Sequence, residues 1–131
     1  MANITEEMKA FIKTHQAFVA TVAPDGGPNI GPKGSLQVLD EGHLMYYELT
    51  GGDHYRNVQR NPKIAVAVAD PDTVQGYRFQ GTAELVTEGP LYEKASRWAE
   101  RAGFGPPKAV VTIKVEAISS LGMPGTGRKT S

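Results

Sequence analysis

The stretch HLMYYELTGGDHYRNVQRNPKIAVAV, residues 43–68, decides how the rest of the chain is read. Residues 43–49 read as a strand. Gly51-Gly52 breaks it, residues 53–60 carry a short helical pattern, and Asn61-Pro62 stops that helix. From Lys63 on, Ile and Val alternate with Ala, as in a buried strand with a crowded face. Two adjacent glycines at a strand-to-helix join let the backbone approach a ligand closely. The first amides of the helix then lack partners, and its dipole favours an anion. Thr50, His54, Tyr55, Arg56 and Asn57 set a hydroxyl, an imidazole, a phenol, a guanidinium and an amide beside that point. The block reads either as a phosphate cradle or as a Gly-Gly turn capped by Asp53, and its own residues leave both open.

Working outward, Thr5 is a good N-cap with Glu6 and Glu7 in the first turn, and Met8, Phe11 and Ile12 recur at helical spacing, so residues 5–15 read as a short amphipathic helix. Residues 17–23 read as a strand, followed by a strong turn at Pro24-Asp25-Gly26-Gly27. A second strand, residues 28–39, is interrupted by Gly31-Pro32 and Gly34, and Asp40-Glu41-Gly42 turns it into residues 43–49. Two short turns in a row argue for antiparallel pairing. Residues 63–69, 77–86 and 109–118 read as further strands, with a bend at Gly81. A helix from Pro90 to Gly103 presents Leu91, Ala95, Trp98 and Ala102 on one face. Six strands and three helices predict a mainly β domain: a six-stranded antiparallel barrel with helices at its edges, over residues 1–121, and a flexible tail over residues 122–131.

The composition removes several classes of function. The chain has 131 residues, enough for one domain, with 14 basic and 14 acidic residues and a formal net charge of +0. That balance lacks the basic footprint of a nucleic-acid binder and suits a protein with a surface hidden in an oligomer. There is no cysteine, which excludes disulfides, thiol chemistry and Cys-ligated metals. No signal peptide is visible and no apolar run reaches the length of a membrane span, so a cytoplasmic location without membrane attachment is expected. His15, His43 and His54 have no metal-ligand spacing, and no metal is expected. No nucleophile elbow occurs. The tail residues 122–130, GMPGTGRKT, approach a P-loop but have one residue too many before the lysine and no helix after it.

A second ligand-facing segment is NIGPKGS, residues 29–35. Glycine and proline weaken a strand, and close passage along a flat ligand is a reason for them, with Lys33 and Ser35 supplying a charge and a hydroxyl. The meander places residues 31–35 and 47–50 on neighbouring strands.

The order GPNIGPKGS (27–35), TGG (50–52), RNVQRNPKIAV (56–66), GYRFQGTAE (76–84) and GPLYE (89–93) resembles the pyridoxamine 5′-phosphate oxidase-like FMN-binding split-barrel proteins, over residues 4–121. It looks most similar to their small, single-domain members. The resemblance implies a homodimeric split barrel with FMN at the subunit interface. It implies that Pro32, Lys33, Gly34 and Ser35 run beside the flavin ring. Glu48, Leu49 and Thr50 meet the ring through their backbone, and Gly51, His54, Tyr55 and Asn57 hold the phosphate. Trp98, Phe104 or the region of Leu121 would close the ring's other side from the partner. Many relatives carry Lys or Arg where His54 stands, which would shift phosphate affinity toward Lys33 and Arg56. The chain also stops short of the arginine- and histidine-bearing segment of the true oxidases, so vitamin B6 oxidation is not expected. The implied function is that of an FMN flavoprotein, an oxidoreductase or electron-transfer protein with an unidentified small-molecule or redox-protein partner and no assignable catalytic residue. The alternative is a non-catalytic module holding haem or another ligand on the same barrel.

Overall fold

The computed structural model describes residues 2–122 and the backbone of Arg128–Lys129. Thr5 caps the first helix, α1 (Glu6–Thr14), by accepting a hydrogen bond from the Met8 amide at 3.2 Å, and Met8 and Ile12 form its buried stripe. The strands are β1 (Ala17–Val22), β2 (Pro28–Pro32), β3 (Gln37–Asp40), β4 (His43–Glu48), β5 (Lys63–Asp70), β6 (Gln75–Val86), β7 (Ala109–Ser120) and the two-residue β8 (Arg128–Lys129). Two further helices, α2 (Asp53–Arg60) and α3 (Pro90–Arg101), lie where the sequence places them.

All pairings are antiparallel, in the order β2-β1-β5-β6-β7-β4-β3, with β8 beside β7. The mainly β, antiparallel split barrel with peripheral helices is therefore the observed class. One expected strand, residues 28–39, is instead two, β2 and β3, and they stand at opposite edges of the sheet. The reason is chemical: proline cannot donate to a ladder, and Lys33-Gly34-Ser35 after Pro32 leaves the strand for a turn, closed by Leu36 N donating to Lys33 O at 3.2 Å. The strand adjacency expected for residues 31–35 and 47–50 is corrected accordingly: among the described residues β2 pairs with β1, while β4 pairs with β3 and β7.

That split forces the shape. Laid flat, the two edges would be roughly 29 Å apart at ~4.8 Å per strand spacing. Residues 33–36 can bridge at most roughly 18 Å from Pro32 to Gln37 at full extension. The sheet must curl until its edges meet across this link. The link is tied on both sides: Lys33 N donates to Ala17 O at 3.0 Å, and Ser35 Oγ accepts from Tyr47 N at 2.9 Å.

Inside the curl lies the main core, with Val19, Leu44, Tyr46, Val66, Phe79, Ile113 and Ile118 fully buried. β4 is buried on both faces. Leu44 and Tyr46 belong to the main core, while Met45 and Tyr47 pack with Ala95 and Val110 beneath α3, with Trp98 against them. Among the described residues no helix is long and apolar enough to cross a membrane. Most of the tail expected over residues 122–131 lies outside the described residues; within it, the Arg128 and Lys129 backbone pairs with Ser120 and Ser119.

The bend expected at Gly81 is a shift in register between Gln80 and Gly81 against β7. A Cβ at Gly81 would stand 2.0 Å from the Lys114 carbonyl oxygen. Gly81→Ala should therefore lower stability by about 2–3 kcal/mol, the upper range for an overpacked core site. Urea denaturation of the variant beside the parent protein measures it.

Candidate functional site

The block that opens the sequence reading resolves in favour of an uncapped helix start. Gly51 has φ 69°, a conformation that favours glycine, and it turns the chain from β4 into α2. The N-cap is Gly52, with no side-chain cap. Asp53 is not the cap: it sits in the first turn and pairs with the Arg56 guanidinium, which also donates to Gly51 O at 3.3 Å. The first helical bond runs from Arg56 N to Gly52 O at 3.1 Å, so the amides of Asp53, His54 and Tyr55 have no acceptor within the helix.

The underside of α2 is anchored by a polar network. Asn57 is buried and its Nδ2 donates to Thr21 Oγ1 at 3.0 Å. Thr21 Oγ1 lies 2.8 Å from His54 Nδ1. The Thr21 hydroxyl thus joins the Asn57 amide to the His54 ring. Burial and the nearby Lys33 charge hold His54 below the usual imidazole range, with Glu48 and Asp53 opposing them. His54 is therefore neutral at physiological pH, in place of a permanent cation. Gly31 matters here because a Cβ on it would meet His54 Nε2 at 3.4 Å. Thr21 escaped the sequence reading; its signal is a hydroxyl at an inward position of β1, alternating with Ala17 and Val19.

The link holds the other half of the site. Lys33 Nζ lies 3.4 Å from Glu48 Oε1 and 5.2 Å from the centre of the Tyr46 ring. The Glu48 residue is only 1% exposed. Its Oε2 accepts from Gly51 N at 3.2 Å and from Thr50 Oγ1 at 3.4 Å. Sequence reasoning assigned Glu48 through its backbone and missed this carboxylate. The signal was there, since Glu48 follows Leu44 and Tyr46 on the inward face of β4. Burial, and secondarily the Glu48 charge, pushes the Tyr46 phenol well above its ordinary range.

Pro32, Lys33, Gly34, Ser35, Glu48, Leu49 and Thr50 line one cleft of about 390 Å³, together with Tyr47, Trp98 and Phe104. Gly51 adjoins it through its amide bond to Glu48, whereas His54 and Asn57 bond to Thr21, which does not line this cleft. Tyr55 stands half-buried on the same first turn and does not line the cleft. Trp98 contacts Tyr47 with ring centroids 5.2 Å apart and stacks on Phe104 at 5.9 Å. Trp98 and Phe104, which the resemblance offers as candidates to close the ring from the partner, line the cleft of their own chain, where α3 lies over β4. Leu121 is not among the lining residues. A larger cleft of about 600 Å³, reaching His15 and Lys94, shares Lys33, Gly34, Ser35, Tyr47 and Trp98. Among the described residues no group of three His, Asp or Glu side chains could hold a metal ion.

One family model matches nearly the whole described chain. The family model described as pyridoxamine 5′-phosphate oxidase matches residues 4–122. The crystal structure of HupZ from Group A Streptococcus is 44% identical, with a TM-score of 0.88, over 98% of this chain and 99% of HupZ. An uncharacterised protein of Methanocaldococcus jannaschii is 31% identical over 126 residues, 92% of this chain and 83% of that protein. An FMN-binding protein from Syntrophomonas wolfei superposes with a TM-score of 0.78 over 92% of this chain and 87% of its own. At 15% identity, that last likeness concerns the fold alone.

The network under α2 makes a pH prediction. His54 has a folded pKa below its ordinary value of 6.5, so on acidification the unfolded chain takes up the proton first. Stability complete above about pH 6.5 is lost as pH falls through 6.5 toward the folded pKa. Urea midpoints at pH 7.5 and 5.5 should fall less in His54→Gln than in the parent. Thr21→Val, which strips Asn57 and His54 of their shared partner, should cost roughly 1–3 kcal/mol at pH 7.5.

Proposed function

This chain belongs to the pyridoxamine 5′-phosphate oxidase family, and we propose on that footing that it is an FMN-binding flavoprotein, an oxidoreductase or electron-transfer protein that exchanges electrons with a small-molecule or protein partner. The observation that carries the reading is the cleft itself. A glycine-bearing backbone segment (Lys33, Gly34, Ser35) and the end of β4 line it together with an aromatic wall (Trp98, Phe104), and its lining reaches Thr50, beside the Gly51-Gly52 turn into α2. Its volume of about 390 Å³ is of the size that takes small ligands.

The residues present fit a flavin in kind. Flat apolar surfaces lie where a ring system would be held, and hydroxyl and backbone donors lie at the other end. Ser35, Leu49 and Thr50 would orient the ring, and the amides at the start of α2, beside the neutral His54 ring, would receive the phosphate end. When bound, FMN supplies the one- and two-electron redox chemistry. The protein's part is to position the ring, to exclude water with Trp98 and Phe104, and to place Lys33 as a cation in the cleft wall. No side chain of the cleft is assigned a proton-transfer role.

We also propose that a second copy of the chain completes the site. The outer face of β1 and β2 carries Phe18 at 43% and Ile30 at 71% exposure, and Phe104 on the rim of the cleft is 52% exposed. Exposed apolar side chains of this size are what an interface covers. FMN at a homodimer interface would then meet both subunits.

The chain has a single tryptophan, Trp98, in the cleft wall. FMN titration should quench its fluorescence, and the complex should show a flavin spectrum bleached by dithionite. Lys33→Ala and Asn57→Ala should each weaken FMN by about tenfold, the scale of one polar contact. Unchanged FMN affinity in both variants, or a Soret band on the protein as purified with no response to FMN, would overturn the assignment. Incubation of the FMN complex with NADH and NADPH then tests for an electron donor.

A further inference from the structure

We infer that the larger cleft, beside His15 and Lys94, binds the anionic group of a small organic ligand, a phosphate or a carboxylate, whose other end lies along the wall that the two clefts share. This rests on the flavin reading only in taking that ligand to be the flavin's electron partner. The cleft holds about 600 Å³ and draws a cation from each of three separate elements: Lys13 from the last turn of α1, Lys33 from the link and Lys94 from α3. His15 adds an imidazole, and among the described residues no Asp or Glu lines it. The formal net charge of the whole chain is +0, so three ammonium groups around one concavity are a local arrangement and not a general basicity. A cleft lined by one sign of charge focuses its field and concentrates ligands of the other sign.

The neighbouring charges do not cancel this set. Two carboxylates reach the lining residues: Glu48 pairs with Lys33 and Asp70 with the His15 ring, each at 3.4 Å. Glu93, next to Lys94 along α3, is exposed and does not line the cleft. Lys9, one turn before Lys13, joins Lys13 in lining an adjoining hollow and adds a further cation on that side. Lys13 and Lys94 are exposed, and neither is in an ion pair among the described residues. The uncharged polar side chains are engaged within the chain. Gln16 Nε2 donates to Ala17 O at 2.8 Å, Gln37 Nε2 donates to Ser35 O at 3.1 Å, and Ser35 Oγ accepts from Tyr47 N at 2.9 Å. α1 ends at this cleft, and its dipole alone would disfavour an anion. The Thr14 hydroxyl, 3.3 Å from Ala10 O, and the His15 ring, 2.9 Å from Phe11 O, take up carbonyls of that last turn. The ammonium groups of Lys13 and Lys94 are then the charged donors that a ligand can take without breaking a contact.

The rest of the ligand is set by position. Lys33, Gly34, Ser35, Tyr47 and Trp98 line both clefts. A ligand anchored by its anion at Lys13 and Lys94 would lay its body along Trp98 and the link, next to the place of the flavin ring. Flat aromatic surfaces suit a planar body. An ammonium is a point charge that accepts phosphate and carboxylate alike, without the paired geometry that a guanidinium imposes. The class is therefore a small organic anion with a planar body.

The test uses phenyl phosphate and benzoate as probes, with benzyl alcohol as their neutral counterpart, on the protein with and without saturating FMN. The amide NMR signals of Lys13, Gln16 and Lys94 and the indole signal of Trp98 are followed. Both anions should shift them saturably, with a Kd of about 1–10 mM or tighter. The tighter of the two assigns the natural group as phosphate or carboxylate. Raising the salt from about 20 to about 300 mM should weaken both anions at least roughly fivefold and leave benzyl alcohol unmoved. The double variant Lys13→Gln, Lys94→Gln, at two exposed positions, should weaken both anions by about tenfold. Anions that bind no tighter than benzyl alcohol, affinities unmoved by salt and by the double substitution, or shifts confined to the amides of Gly51, Asp53 and His54 would each overturn the inference. FMN is titrated separately by Trp98 quenching. Anion binding without FMN binding refutes the flavin reading and keeps the anion site, while FMN binding without anion binding refutes the anion site alone.

Discussion

One short connection governs this molecule. Residues 33–36 must join the two edges of a single sheet, and they are too few to do so unless the sheet closes on itself. Closure brings Lys33 over the end of β4, where Glu48 points inward, and it sets Ser35 on the Tyr47 amide. The cleft is the consequence. It opens where the link leaves β2, and its far wall is α3, held over β4 by Tyr47, Ala95 and Trp98. Barrel geometry and ligand geometry are thus fixed by the same few residues.

The same closure sets the electrostatics. A lysine on the link can be half-sheltered only because a carboxylate stands beneath it, and that carboxylate can be buried only because Gly51 and Thr50 also donate to it. On the neighbouring element, Thr21 and Asn57 fix the ring of His54, whose burial keeps it uncharged.

Much of this was legible in the residues. Alternation in residues 63–69 and 109–118, the Gly-Gly join and the Asn61-Pro62 stop predict strands and a helix that match β5, β7 and α2 closely. Such patterns are local. The separation of β2 from β3 was not legible, because Gly31, Pro32 and Gly34 signal a weak strand without saying that its halves part to opposite edges. Strand order is a matter of long-range packing. The residues around the cleft were legible as a set through motif order, but the side chain of Glu48, the hydroxyl of Thr21 and the placing of Trp98 and Phe104 on the same chain were not. Each depends on which strands lie opposite each other in space.

The flavin reading places the ring in the space between the link and the end of β4. A crystal structure of the protein saturated with FMN tests it most directly. The ring should lie between Lys33, Gly34 and Ser35 on one side and Leu49 and Thr50 on the other, against Trp98. A ring found in the larger cleft beside His15 and Lys94, or on the outer face of β1 and β2, would contradict it.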